Sequence, residues 1–493
     1  MTFNRTMLGA ATIVVTGLAW SSASAQTIGI AIGSEPTTLD PQLRDDGGER
    51  QVTDNIFETL MTRDPSGALG LGLAASEPVL VDPTTWEVTL REGVTFQNGE
   101  PFDAAAAAFS VNRVIDSGFN SEQGSYFNTI TGAEAVDATT LRVTTSGPDP
   151  ILPTRLYWLK MVPPIAAAEA GFAENPIGTG PYKFDNWRRG SSITLVANEG
   201  YWDGVPAAPE VEFRFIPEFG TRLSSLLSGE VDLITNLLPE FVEQVPQSFA
   251  VTGVELPIIL LSDENEPVGD VRVRQALNYA VDKEALAEAL YGGYADVMQG
   301  QLLAPSYFGF NPDVKGYPYD PEKAKALIAE AGAEGAEVTL YGTAGRWLKD
   351  RELVEAVAAS WEAVGIKPDV RIVDFSEYLD RFFDPENRQD AFFTVSSNEL
   401  MDADRPFSAY YHKDGIGAPN HNERIAELVD SARTEADPEA RAAMYQEAIQ
   451  IAFDEALYVF LLNINDVYGA SERLVWEPRV DGKLLAKTMS ISE

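Results

Sequence analysis

The stretch Asn265 to Gly293, NEPVGDVRVRQALNYAVDKEALAEALYGG, constrains this chain most, because it writes two capped helices back to back. Asp270 is a candidate N-cap, its carboxylate able to accept from the free N–H groups of a first helical turn. Val273, Leu277, Ala280 and Val281 then recur at helical spacing and form one apolar face, with Arg272, Arg274 and Asn278 on the others. Asp282 can cap a second helix carrying Leu286, Ala289 and Leu290. Gly292 and Gly293 end it, since glycine takes the left-handed conformation a helix end needs. Pro267 and Gly269 make the approach irregular. The stretch therefore reads as the place where the chain leaves one lobe and begins another.

Helices and strands alternate beyond it. Asp320-Pro321 is a cap followed by proline at the first helical position. Leu327, Ile328 and Ala331 form its stripe, and Val338 to Tyr341 is a strand. Leu353, Val354, Val357, Ala358, Trp361 and Val364 mark a long helix before the next strand at Val370 and Ile372. That order predicts an α/β lobe with a mostly parallel, helix-covered sheet. Ile425, Leu428, Val429 and Ala432 mark a late helix. Asp437-Pro438 starts another, and Leu457 to Leu462 is a buried strand leading home. In the first half, residues 28–32 (IGIAI) read as a buried strand. Thr85 to Leu90 alternates strictly, with Trp86, Val88 and Leu90 on one side, and Asp103 caps an alanine-rich helix. The GTG of NPIGTGPYKF lacks the third glycine of a dinucleotide loop, and reads as a turn into a strand at Tyr182 and Phe184. At 493 residues the chain exceeds one ordinary core.

The N-terminus reads as a leader. Arg5 supplies a positive start, Met7 to Trp20 an apolar run, and Ala23-Ser24-Ala25 a small-residue cleavage site, leaving Gln26 as the mature start. Without a cysteine anywhere, disulfides, thiol nucleophiles, Cys-ligated metals and a lipid anchor at that cleavage site are excluded. The expected compartment is the periplasm. A net charge of −39 argues against nucleic acid as a partner, which needs a basic face. The acidity has a bland reading, a solvated surface, and a functional one, a field attracting cationic ligands.

Catalytic motifs are scarce. The two histidines, His412 and His421, belong to no H-E-x-x-H motif, and neither G-x-S-x-G nor a Walker loop occurs. Asp263-Glu264-Asn265-Glu266 begins like a calcium loop. Arg274 stands at its twelfth position, where glutamate is needed, so that reading is rejected. A hydrolase would need a nucleophile–base pair that the sequence does not display. Binding remains, with no metal and no cofactor expected.

Five landmarks in order carry a resemblance over nearly all of the mature chain: TTWEVTLREGVTFQNGEPFDA, NPIGTGPYKF, YWDG, DVRVRQALNYAVDKEAL and YDPEKAKALIAEAG. They resemble the family 5 extracellular solute-binding proteins of ABC importers, the dipeptide-, oligopeptide-, nickel- and glutathione-binding type. The resemblance implies an α/β, two-lobed periplasmic binding protein type II fold with an extra accessory subdomain and a hinge between lobes. The expected division is a leader at 1–25; lobe I from 26–60, 166–265 and 466–493; an accessory subdomain at 61–165; and lobe II at 266–465. Crossings are expected near 263–268 and 463–468. The implied partners are an inner-membrane ABC permease and a short peptide or peptide-like ligand, bound by a monomer.

A zwitterionic peptide enclosed in a cleft needs an acid for its ammonium and a cation for its carboxylate. Arg346, in a loop after a strand, matches an arginine that meets the ligand carboxylate in dipeptide-binding relatives; otherwise it pairs with Asp350 at the surface. Trp347 roofs the cleft or packs in the core. The resemblance places SEPTTLDP at the cleft mouth, making Glu35 and Thr37 candidates. In relatives the ammonium is met by a Trp-x-x-Asp loop aligned with 396–407. Here that loop reads SSNELMDADRPF. Asp402 and Asp404 fall nearest the acidic position, with Glu399 outside them, while Ser397 and Asn398 are candidates for a peptide amide. The tryptophan is missing, which counts against unselective di- or tripeptide binding; the glutathione-binding branch has a looser version of this loop. The alternative ligands are non-peptide solutes: a nickel chelate, an opine, a sugar or a betaine.

Overall fold

The computed structural model describes residues 27–44, 47–384, 389–418 and 421–492. The expected leader and its cleavage after Ala25 lie outside the described residues. Among the described residues, no helix is long and apolar enough to cross a membrane.

The first large sheet runs in the order Gln247–Thr252, Leu462–Ala470, Leu233–Ile234, Thr27–Ile32, Glu210–Phe215, Ser192–Ala197, Tyr182–Arg188, with Ala295–Val297 paired to the start of Leu462–Ala470. Thr27–Ile32 lies at its centre, parallel to both neighbours, and every residue after Thr27 is buried. A strand covered on both faces needs that unbroken apolar run. The GTG turn has a steric cause. A Cβ on Gly178 or Gly180 would stand 2.0 or 2.6 Å from the carbonyl oxygen of Ile56, so only glycine admits this approach.

The accessory part is a four-stranded antiparallel sheet, Val79–Asp82, Thr85–Thr89, Thr140–Thr145 and Ile130–Ala135, under the helix Ala104–Ile115. Trp86 and Val88 point into its core, as the alternation predicts, and Asp103 accepts from the Ala106 N–H at 3.0 Å.

The second large sheet has the order Lys367–Val373, Glu337–Thr343, Ala391–Ser397, Glu255–Leu261, Tyr458–Phe460. Four strands share a direction, and Glu255–Leu261 alone opposes them. Helices Val271–Tyr279, Lys283–Tyr291, Pro321–Ala331 and Asp350–Ala363 carry the expected caps, except that Lys349, in the left-handed conformation, precedes the last. Arg274 and Asn278, expected away from the apolar face, are buried. Arg274 donates to the carbonyls of Val268, Gly269 and Glu455, and Asn278 to Tyr458, so both tie the helix to neighbouring chain ends.

The passage between sheets departs from expectation. The chain leaves the first sheet at Thr252 and enters the second at Glu255; it leaves the second at Phe460 and re-enters the first at Leu462. The crossings are thus 253–254 and 461, ahead of 263–268 and 463–468. Pro267 and Gly269 punctuate a strand-to-helix loop inside the second lobe. The first crossing packs on the strand that follows the second: Gly253 N–H donates to Ile464 O at 3.1 Å, and a Cβ on Gly253 would lie 2.6 Å from that oxygen.

Candidate binding cleft

The loop after Glu337–Thr343, TAGRWLK, is held by one carboxylate. Asp350 accepts from the backbone N–H groups of Gly345, Arg346 and Trp347 at 3.0, 2.9 and 3.0 Å, and from Arg351 at 2.8 Å. Asp350 therefore fixes the Arg346 backbone, and among the described residues the Arg346 guanidinium has no ion-pair partner. That guanidinium is exposed, 5.4 and 5.5 Å from the ring centroids of Trp347 and Phe375. Trp347 is half-buried and meets Tyr378 and Phe393 edge-on at 5.7 and 6.0 Å, so it packs on one side and carries the guanidinium on the other.

Arg346 and Trp347 line a cavity of about 370 Å³ between the two large sheets. One wall is residues 236–238, the loop at the carboxyl end of Leu233–Ile234; the other is 346–348. Glu255 and residues 464–467, beside the crossings, form its floor. This is the usual place for a ligand in α/β lobes, where loops at strand ends converge. Glu255 and Asp466 supply its negative charge. Burial pushes the Glu255 carboxyl up to about 7, with Asp466 adding to the rise and Arg346 opposing it. Burial pushes Asp466 up to about 6, opposed by Arg50. Neither acid stood out in the sequence. Asp466 is one of 75 acidic residues in the chain, and Glu255 opens an otherwise apolar strand, ELPIILL.

The acidic loop is differently engaged. Glu399 is ion-paired with Arg405. Asp402 is buried and accepts from both terminal nitrogens of Arg441, from Nη1 at 2.9 Å and from Nη2 as well. Asp404, also buried, meets Arg433 at 3.3 Å and Arg155 at 3.6 Å. Burial raises its carboxyl, with Arg155 the leading opposing charge. Ser397 donates to Glu399 at 3.1 Å, and Asn398 donates to Asp402 O at 2.9 Å while its own buried oxygen finds no donor among the described residues. Ser397 does reach the cleft's neighbourhood, standing directly across the strand pair from Glu255. Leu400 is buried in the accessory core, and Arg63 donates to its carbonyl. The loop thus joins the second lobe to the accessory subdomain.

In the 34–41 turn, Glu35 accepts from Trp187 Nε1 at 2.9 Å and from Gly190 N–H at 3.0 Å, and Thr37 donates to buried Glu49 from its N–H and hydroxyl at 2.6 and 2.8 Å. These contacts hold the 34–41 turn in shape. His412 faces Asp430 at 3.5 Å and His421 faces Asp263 at 3.1 Å. No group of three or more metal-ligating side chains occurs among the described residues.

The profile described as bacterial extracellular solute-binding proteins, family 5 middle, matches residues 68–418, more than half the chain. The chain belongs to family 5 of the extracellular solute-binding proteins. Glutathione-binding protein GsiB of Shigella dysenteriae serotype 1 is 26% identical over 471 residues, covering 91% of each chain. HbpA2 of Haemophilus parasuis superposes with a TM-score of 0.84 at 24% identity, over 95% of this chain and 100% of that one. AgaA of A. tumefaciens R10, in complex with agropinic acid, superposes with a TM-score of 0.74 at 25% identity, over 95% and 99%. The fold is accordingly the two-lobed, type II binding-protein fold that the resemblance implied.

Proposed function

We propose that this chain is the periplasmic solute-binding subunit of an ABC importer, delivering a short peptide or peptide-like ligand to an inner-membrane permease. The observation that carries the reading is Arg346. Among the described residues it is a guanidinium without a carboxylate partner, on a loop immobilised by Asp350, in a cavity walled by both lobes. A planar fork of donors fits a carboxylate through two parallel hydrogen bonds. Glutathione, the ligand named for the GsiB relative, bears carboxylates at both ends. Movement of the lobes about the paired crossings at 253–254 and 461 would enclose the solute, in the manner of hinged binding proteins. Of the residues read from the sequence as ligand contacts, Arg346 and Trp347 line this cavity, and Glu35, Thr37 and Ser397 do not.

The test begins with ligand released from natively purified protein, identified by mass spectrometry. Calorimetry then compares Arg346→Ala and Arg346→Lys. Removing one partner of an enclosed charge pair is expected to cost about 2–5 kcal/mol of binding, and lysine should recover only part because the fork is lost. An unchanged affinity in Arg346→Ala refutes the assignment. A second reading, an opine or other non-peptide acid, draws on the agropinic acid complex of AgaA and uses the same arginine; release of such a compound from the native protein would establish it.

A further inference from the structure

We infer that the cationic end of the ligand is received by Glu255 and Asp466 at the crossing strands, and that the acids of the 399–404 loop take no part. The inference rests on the cleft reading above and adds the class of solute: one bearing an ammonium or similar cation as well as a carboxylate.

Four observations support it. First, the loop acids are engaged. Asp402 is matched by both nitrogens of Arg441, Asp404 by Arg433 and Arg155, and Glu399 by Arg405. An ammonium arriving there would have to displace an arginine already in place.

Second, Glu255 and Asp466 have no such partner. Among the described residues neither carboxylate makes a hydrogen bond or ion pair, although both are half-buried and line the cavity. Carboxylates withdrawn from water are ordinarily paired, and those left unpaired are commonly functional.

Third, the cavity also holds Asn465, whose buried side-chain oxygen has no donor among the described residues. The floor is therefore rich in acceptors and poor in donors. An ammonium, with three donors and no acceptor, is its chemical complement.

Fourth, the two charges are separated as a zwitterion requires. Arg346 stands on the second-lobe wall and Asp466 on the strand of the first sheet, so a ligand with both ends satisfied touches both lobes. Glu255 opens the second-sheet strand beside the crossing and lies between them.

The experiment is calorimetry on the full mature chain with glutathione, Ala-Ala and Ala-Ala-Ala, each with a free and an N-acetylated amine. The variants are Glu255→Gln, Asp466→Asn and Asp404→Asn, with folding of each checked by circular dichroism and thermal melting. For wild type, acetylation is expected to weaken binding by tenfold or more. That gap should close several-fold in Glu255→Gln and Asp466→Asn and persist in Asp404→Asn. A gap that closes only in Asp404→Asn overturns this inference and returns the ammonium to the acidic loop, leaving the peptide reading intact. Equal binding of free and acetylated peptides to wild type overturns the inference as well. If none of the six compounds binds wild type, the peptide reading fails, and the inference fails with it. Should Asp466→Asn not fold, Glu255→Gln decides the matter, because it changes one oxygen to an amide at a half-exposed strand end.

Discussion

Replacing Glu255 by glutamine should stabilise the ligand-free protein at alkaline pH while weakening its hold on a cationic ligand. In the fold this carboxyl is raised from an ordinary 4.5 to about 7. The folded protein therefore binds more protons than the unfolded chain between those values, so stability falls as pH rises through that window. At ~1.4 kcal/mol per pH unit, the displacement corresponds to about 3 kcal/mol at most. Partial solvent access and the neighbouring Asp466 reduce it to about 1–3 kcal/mol. Glutamine resembles the protonated carboxyl and carries no such pH dependence. Spread over the unfolding entropy of a chain this long, the gain is a rise of about 1–3 °C in Tm at pH 8. It should shrink several-fold by pH 5, where wild type has largely recovered its proton in the fold. Thermal melts of the empty protein across pH 5 to 8.5 measure this directly. A variant no more stable than wild type at pH 8, or one whose gain is independent of pH, would refute the claim that an unpaired, desolvated carboxylate sits beside the crossing.

Other perturbations follow from the same geometry. Arg441→Ala strands buried Asp402 without its partner and should destabilise the fold by about 3–5 kcal/mol, read as a lower midpoint in urea. Gly253→Ala forces a methyl against Ile464 O and should cost about 1–3 kcal/mol by pushing the first crossing off the strand Leu462–Ala470; unchanged denaturation would mean the two part freely there. Saturating ligand should reduce the radius of gyration in solution scattering, and an unchanged radius would count against closure about 253–254 and 461.

Much of this architecture is legible because local rules and tertiary demands agree. Asp270, Asp282 and Asp320 are caps in the fold as in the sequence, and the stripe Leu353, Val354, Val357, Ala358 and Trp361 is wholly buried. Period and cap chemistry are short-range signals, and nothing in the core opposes them. The crossings fall where the sequence marks them faintly: the chain changes sheets at Gly253-Val254 between two strands, and at Leu461 alone inside an apolar run. Site residues divide in the same way. Arg346 is readable as a cation in a strand-end loop. The roles of Asp402 and Asp404 depend on Arg155, Arg433 and Arg441, which lie far away in sequence. An acid that binds a ligand and one that binds an arginine look alike until the fold brings the partner in.

The loop that joins the second lobe to the accessory subdomain has one further consequence. Leu400 works as a tooth set in a socket of the other part, and any movement that draws the two apart must bring it into water. Withdrawing a leucine costs about 1.5–3 kcal/mol, a factor of roughly ten to a hundred in the balance between engaged and disengaged forms. Arg155 suffers less from the separation, since Asp149 holds it at 2.8 Å on its own side. A single apolar side chain, remote in character from any solute, thus biases the resting position of the molecule, and exchanging it for alanine or isoleucine would retune that position without altering a charge.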